Sequence, residues 1–224
     1  MGSMIDFKRP DGTACKGYLA EAGETGAGKG KPGIVVIQEW WGLNDQIKGI
    51  ADRFAAAGYN ALAPDLYKGR VTQKPDEANH LMTGLDFVGA SDQDIAGAVK
   101  HVAGLSRKVG VTGFCLGGAL TIAACARVPG IACGVPYYGV PPGQLADPAK
   151  IKVPLQGHFA NTDDWCTPKL VTDFEKAMTA AGNKPEVYRY DAAHAFANET
   201  SAAYDAKAAK QAWDRMMTFL GKHL

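Results

Sequence analysis

Six residues, Gly113-Phe114-Cys115-Leu116-Gly117-Gly118, have the composition of a sharp strand-to-helix turn that carries a nucleophile. An apolar, β-like run, Val109–Thr112, precedes them, and a small-residue helical run, Ala119–Ala126, follows. A chain that passes abruptly from strand to helix holds the residue at the turn in a strained conformation. Side chains at the flanking positions would collide with neighbouring backbone, hence the glycines. The strain lifts the Cys115 sulfur above the sheet at a helix N-terminus, where partial positive charge favours a thiolate. A thiol of ordinary acidity is only a few per cent ionised at neutral pH, so the chemistry also needs a base in reach. His194 follows the alternating segment Glu186–Tyr190, and Asp164 follows the apolar run Val153–Phe159. Nucleophile, acid and histidine thus occur in an order that one class of hydrolytic triads uses.

Those side chains require elements that bring strand ends together, and the sequence alternates accordingly. Candidate strands are Ile34–Gln38, Asn60–Ala63, Lys108–Gly113, Gly134–Tyr138, Val153–Gly157 and Glu186–Tyr190. Several are continuous apolar runs, as strands covered on both faces are. Between them lie helical periods: Asp45–Ala57, with Ile47, Ile50 and Phe54 on one stripe, and Ser91–Leu105, with Ser91 as its cap and Asp92 and Asp94 in its first turn. Pro168–Ala181 starts with proline and stops at Gly182, and Ser201–Leu220 closes the chain. Ile5–Glu21 reads as one or two antiparallel edge strands. The expected fold class is α/β: a mostly parallel central sheet with helices on both faces, and sites at the C-terminal strand ends. The nucleophile turn makes it an α/β-hydrolase fold. Residues 1–3, ahead of Met4, read as an expression remnant, and residues 4–224 as one domain.

The 224 residues suffice for a sizeable core, and 46 % hydrophobic with 21 % charged residues is ordinary for a globular chain. A net charge of +1 argues against a nucleic-acid partner, and the apolar runs are too short to span a bilayer, so no membrane role is expected. Ile5–Pro10 is already charged, which is unlike a secretory signal. The five cysteines are odd in number and contain no C-x-x-C pair, consistent with free thiols and a cytoplasmic location. Gly23–Lys29 matches G-x-x-x-x-G-K, but Gly30 replaces the hydroxyl residue that would hold a magnesium ion. Pro32 and a strand follow where a phosphate site needs a helix, so the stretch reads as a connection between strands. His158, Asp163, Cys166 and His194 match no metal-ligand spacing, and no metal or cofactor is expected.

Four motifs in order, Gln38-Glu39-Trp40-Trp41-Gly42-Leu43-Asn44, Gly113–Gly118, Asp164–Pro168 and His194–Ala197, resemble the dienelactone hydrolase (carboxymethylenebutenolidase) family from about Ile34 to the C-terminus. The resemblance implies a cysteine-dependent hydrolase of small esters or lactones. It implies Cys115 as nucleophile, His194 as base, Asp164 as orienting acid and Glu39 as the carboxylate that holds or deprotonates the resting thiol. It implies an oxyanion hole from the backbone N–H groups of Leu116 and Trp40. Asp163 is the alternative acid; Asp164 has the family spacing to Pro168. Asn198 stands where the family carries a carboxylate-gripping arginine, and no arginine lies between Val71 and Ser106. A neutral substrate is therefore expected ahead of an anionic one. Trp40, Trp41, Phe114, Tyr137, Tyr138 and Phe196 read either as an apolar pocket wall or as core; Trp40, Tyr138 and Phe196 are the ones expected to line the pocket, with Asn198. The competing readings are a catalytically silent relative that binds a small ligand or partner, and a serine-type peptidase or lipase. The oligomeric state is expected to be a monomer or small homo-oligomer.

Overall fold

A computed structural model describes residues 1–23 and 28–224; Glu24–Ala27, in the middle of the glycine-rich stretch above, lies outside the described residues. The sheet has eight strands in the order β1-β2-β4-β3-β5-β6-β7-β8. These are β1 (Ser3–Lys8), β2 (Ala14–Ala20), β3 (Gly33–Ile37), β4 (Asn60–Pro64), β5 (Val109–Phe114), β6 (Ile131–Tyr137), β7 (Gln156–Thr162) and β8 (Glu186–Ala193). The first two pair antiparallel, with β2 antiparallel to β4; every pairing from β4 to β8 is parallel. The helices are α1 (Asp45–Ala56), α2 (Pro75–Thr83), α3 (Phe87–Gly89), α4 (Ala96–Ala103), α5 (Leu116–Arg127), α6 (Pro168–Ala180) and α7 (Ala206–His223). None among the described residues is long and apolar enough to cross a membrane.

Strand alternation feeds two cores. Val35 and Ile37 of β3 join the cluster under α4, α5 and α6, while Ile34 and Val36 join the cluster under α1 and α7. Ile47, Ile50 and Phe54 supply the apolar stripe of α1. Each large side chain buried this way contributes about 1.5–3 kcal/mol. Cys115 packs against both clusters, so the turn that carries it is anchored from both faces of the sheet.

The structure departs from the expected elements in several places; β6 starts at Ile131, three residues before the expected Gly134, and β8 runs on to Ala193. β7 starts three residues later than the apolar run, because Pro154 has no N–H for the ladder; before it, Leu155 makes only an isolated bridge to Gly134. The later strand buries His158, which bonds Tyr190 at 2.8 Å and Gln156 at 3.1 Å. Ser91 is not a helix cap. The helical path starts at Phe87, capped by Asp86, whose side chain accepts from Gly89 N at 2.9 Å, and Ser91 is buried inside a π-helical segment, Ala90–Ile95, that runs into α4. α7 starts at Ala206, capped by Asp205, rather than at Ser201. Helix α2 was not anticipated, although Pro75 with Asp76 and Glu77 is an ordinary helix start.

Candidate active site

Cys115 sits between β5 and α5 with φ +56° and ψ −116°, a left-handed conformation for a non-glycine residue. The turn closes around it because its neighbours lack side chains. A Cβ on Gly117 would meet Ile37 O at 2.4 Å, and one on Gly113 would meet Gly117 O at 2.3 Å. These are backbone atoms of adjoining elements and cannot move aside. The expected strained strand-to-helix turn is present in the geometry.

His194 follows β8 by one residue, and its Nδ1 lies 2.8 Å from Asp163 Oδ2. The acid beside the histidine is thus Asp163, and the assignment of Asp164 is corrected: Asp163 is buried and Asp164 is exposed. The pairing of β7 with β8 gains one residue on the β8 side just before the histidine, Ala160 facing Tyr190 and Thr162 facing Ala193. Asp163 also accepts the N–H groups of Trp165 and Cys166 through Oδ1, each at 2.8 Å. Burial pushes its carboxyl up, but the hydrogen bond and charge of His194 with these N–H groups outweigh that and hold it below the usual range. With Nδ1 committed to the carboxylate, Nε2 is the ring nitrogen left for proton exchange.

Glu39 lies just beyond β3 and is buried. Asn198 Nδ2 donates to its Oε2 at 2.7 Å, and the Tyr138 hydroxyl donates to its Oε1 at 3.1 Å. Burial raises the Glu39 carboxyl above its usual range; the Asn198 and Tyr138 bonds and the His194 charge oppose this without overcoming it. Asn198 Oδ1 accepts from Thr200 N at 2.9 Å and Thr200 Oγ1 at 2.7 Å. Its polar atoms are thereby committed to Glu39 and Thr200. Asn198 borders the cleft but positions a carboxylate, where a substrate contact was expected.

A cleft of about 980 Å³ gathers Glu39, Trp40, Cys115, Trp165, His194 and Asn198 along its wall. Two expected pocket residues are corrected. Phe196 is fully buried, 4.9 Å from the Tyr190 ring and 5.4 Å from that of Tyr138. Ala195, at φ +64°, turns the chain between His194 and Phe196, so sequence adjacency does not put both in the cleft. Tyr138 is also core, at φ +35°; its hydroxyl serves Glu39, and its ring packs edge-on at 5.1 Å from His194. Trp165, at the rim, was not singled out from the sequence; its signal was a tryptophan immediately after the paired aspartates.

Cys115 is a resting thiol in these surroundings. Burial pushes its acidity well below that of a free cysteine, Glu39 adds to the shift, and the Leu116 N–H works against it. Alkylation by iodoacetamide at pH 7 is therefore expected to be slow and to accelerate as pH rises. Glu39→Gln, which removes the nearby negative charge, is expected to speed it at pH 7. Rapid alkylation of the unaltered protein, with thiolate ultraviolet absorbance at pH 6, would contradict this account of the thiol. All five cysteines are free.

The family model of the Dienelactone hydrolase family matches residues 16–224. Protein usf of Aquifex pyrophilus is 36 % identical over 238 residues and aligns over 100 % of both chains. A protein of Aquifex aeolicus (strain VF5) that bears the name "Putative carboxymethylenebutenolidase" is 33 % identical over 236 residues, again over 100 % of both. Among solved structures, a dienelactone hydrolase-like promiscuous phosphotriesterase from metagenomic libraries superposes with a TM-score of 0.86 at 22 % identity. That match covers 99 % of this chain and 98 % of the other and is a likeness of fold.

Proposed function

The chain belongs to the dienelactone hydrolase family, and on that premise we propose that it hydrolyses small neutral esters or lactones through Cys115, His194 and Asp163. The observation that carries the reading is the convergence of a strained thiol and a carboxylate-bound histidine on one cleft. The Cys115 sulfur attacks the substrate carbonyl while His194 Nε2 takes the thiol proton. Asp163 fixes the histidine tautomer and stabilises the imidazolium. The backbone N–H groups of Leu116 and Trp40 receive the oxyanion, each such donor being worth roughly 3 kcal/mol in the transition state. As the tetrahedral adduct collapses, the leaving alkoxide takes the proton from His194 and a thioester on Cys115 remains. Water, deprotonated by His194, then attacks the thioester, frees the carboxylic acid and restores the thiol. Glu39 keeps the sulfur protonated between turnovers.

Charge in the cleft favours neutral substrates. Lys48 borders it but pairs with Asp45 at 3.1 Å, and Arg70 lies 3.8 Å from Glu77. A substrate carboxylate therefore meets no uncommitted cation among the described lining residues, and a charged hydrogen bond forgone is worth about 1.5–3 kcal/mol. A turnover screen of short-chain p-nitrophenyl esters and simple enol lactones against a carboxylate-bearing lactone tests this. Neutral substrates are expected to lead in kcat/KM by tenfold or more. A tenfold preference for the anion would overturn the specificity, and no turnover of any ester or lactone would favour a non-catalytic binder.

A further inference from the structure

Three tryptophans form one continuous wall of the cleft. The ring centroids of Trp40 and Trp41 are 4.9 Å apart at 63°, and those of Trp40 and Trp165 are 5.7 Å apart at 61°. All three border the same cleft as Cys115 and His194. Trp165 is 66 % exposed. A large indole that served only packing would be mostly buried, and an exposed aromatic surface beside a reactive centre marks a contact site. Val71, 50 % exposed, extends the apolar lining.

The wall is registered on the reacting groups by backbone. Trp40 follows Glu39 directly at the end of β3. Trp165 donates its backbone N–H to Asp163 Oδ1 at 2.8 Å, and Asp163 Oδ2 is on His194. A ring seated against Trp165 is thus held in a fixed relation to the histidine and its acid. The cleft volume of about 980 Å³ is at the upper end of the roughly 300–1,000 Å³ typical of small-molecule sites, well beyond the needs of a simple alkyl ester.

From this juxtaposition we infer that the Trp40–Trp165 wall binds a planar apolar group, and that the preferred substrates are aryl esters whose ring lies against it. The inference rests on the hydrolase reading above and adds the substrate class. Offset or edge-on aromatic contacts with an indole favour such a ring over an alkyl chain of similar length.

The test compares 2-naphthyl acetate with ethyl acetate on the unaltered enzyme, Trp165→Ala and Trp165→Phe. The aryl-to-alkyl ratio of kcat/KM is expected to fall tenfold or more in Trp165→Ala, chiefly through KM for the aryl ester, and to recover to within about threefold in Trp165→Phe. A ratio within twofold of the unaltered enzyme in Trp165→Ala would overturn the inference and leave the hydrolase reading standing. A second readout is independent of turnover. In Cys115→Ala, titration with N-(2-naphthyl)acetamide is expected to quench tryptophan fluorescence, with a tenfold weaker Kd when Trp165→Ala is added. If the unaltered enzyme turned over neither ester, the hydrolase reading would fail and this titration would still decide the wall. Equal Kd values with and without Trp165 would reject it.

Discussion

Cys115→Ala is expected to lower kcat for neutral esters by on the order of 10⁴–10⁶, the scale on which loss of a triad nucleophile acts. The fold is expected to survive. Alanine occupies the same φ +56° turn with the same strain, and Gly113 and Gly117 still admit the surrounding backbone. Far-ultraviolet circular dichroism and the thermal midpoint are therefore expected to stay close to those of the unaltered protein. Turnover in Cys115→Ala equal to that of the unaltered enzyme would remove the thiol mechanism altogether, because the remaining cysteines are buried away from the elbow position.

The second large effect separates two adjacent aspartates. Asp163→Asn is expected to reduce kcat by roughly 10²–10⁴. An asparagine retains an acceptor for the N–H groups of Trp165 and Cys166, so the loop after β7 keeps its shape. Its Nδ2 then faces His194 Nδ1, which must become an acceptor. That places the imidazole proton on Nε2, the nitrogen required as base. Asp164 is exposed, and Asp164→Asn is expected to change kcat by less than twofold. His194→Ala is expected to lose more than Asp163→Asn, since the acid acts one step removed. The reverse pattern, with Asp164→Asn damaging and Asp163→Asn harmless, would restore the acid first expected from spacing.

The difference between those aspartates shows where the sequence was readable. The strand-to-helix turn was legible because only glycine allows the backbone approaches around Cys115, and that requirement appears directly as residue type. The parallel sheet was legible because strands covered on both faces are continuous apolar runs, as β3 and β5 are. Asp163 was not legible, because two adjacent aspartates after β7 are the same residue type and nothing in the sequence marks which of them the loop turns inward. Phe196 and Tyr138 misled for a related reason: left-handed residues, Ala195 and Tyr138 itself, turn neighbouring side chains to opposite sides. Asn198 was found by position but given the wrong partner. Its contact to Glu39 joins residues 159 apart in sequence, which only the closed fold reveals.

The neutral hydrogen-bond donors on Glu39 also bear on the electrostatics. Asn198 and Tyr138 fix the carboxyl of Glu39 without adding positive charge, and Glu39 adds to the burial that disfavours a Cys115 thiolate. Under the proposed function, a thiol held protonated in this way is expected to react when a substrate carbonyl and His194 are both in place, rather than with any electrophile that enters the cleft.

The most direct measurement is intact-protein and peptide mass spectrometry on acid-quenched reactions with p-nitrophenyl butyrate during the first turnover. A single butyryl adduct mapped to Cys115 is expected, formed no more slowly than nitrophenolate release and absent in Cys115→Ala. An adduct on another residue, or sustained turnover with Cys115 never acylated in the presence of a trapping acid quench, would contradict the thiol mechanism.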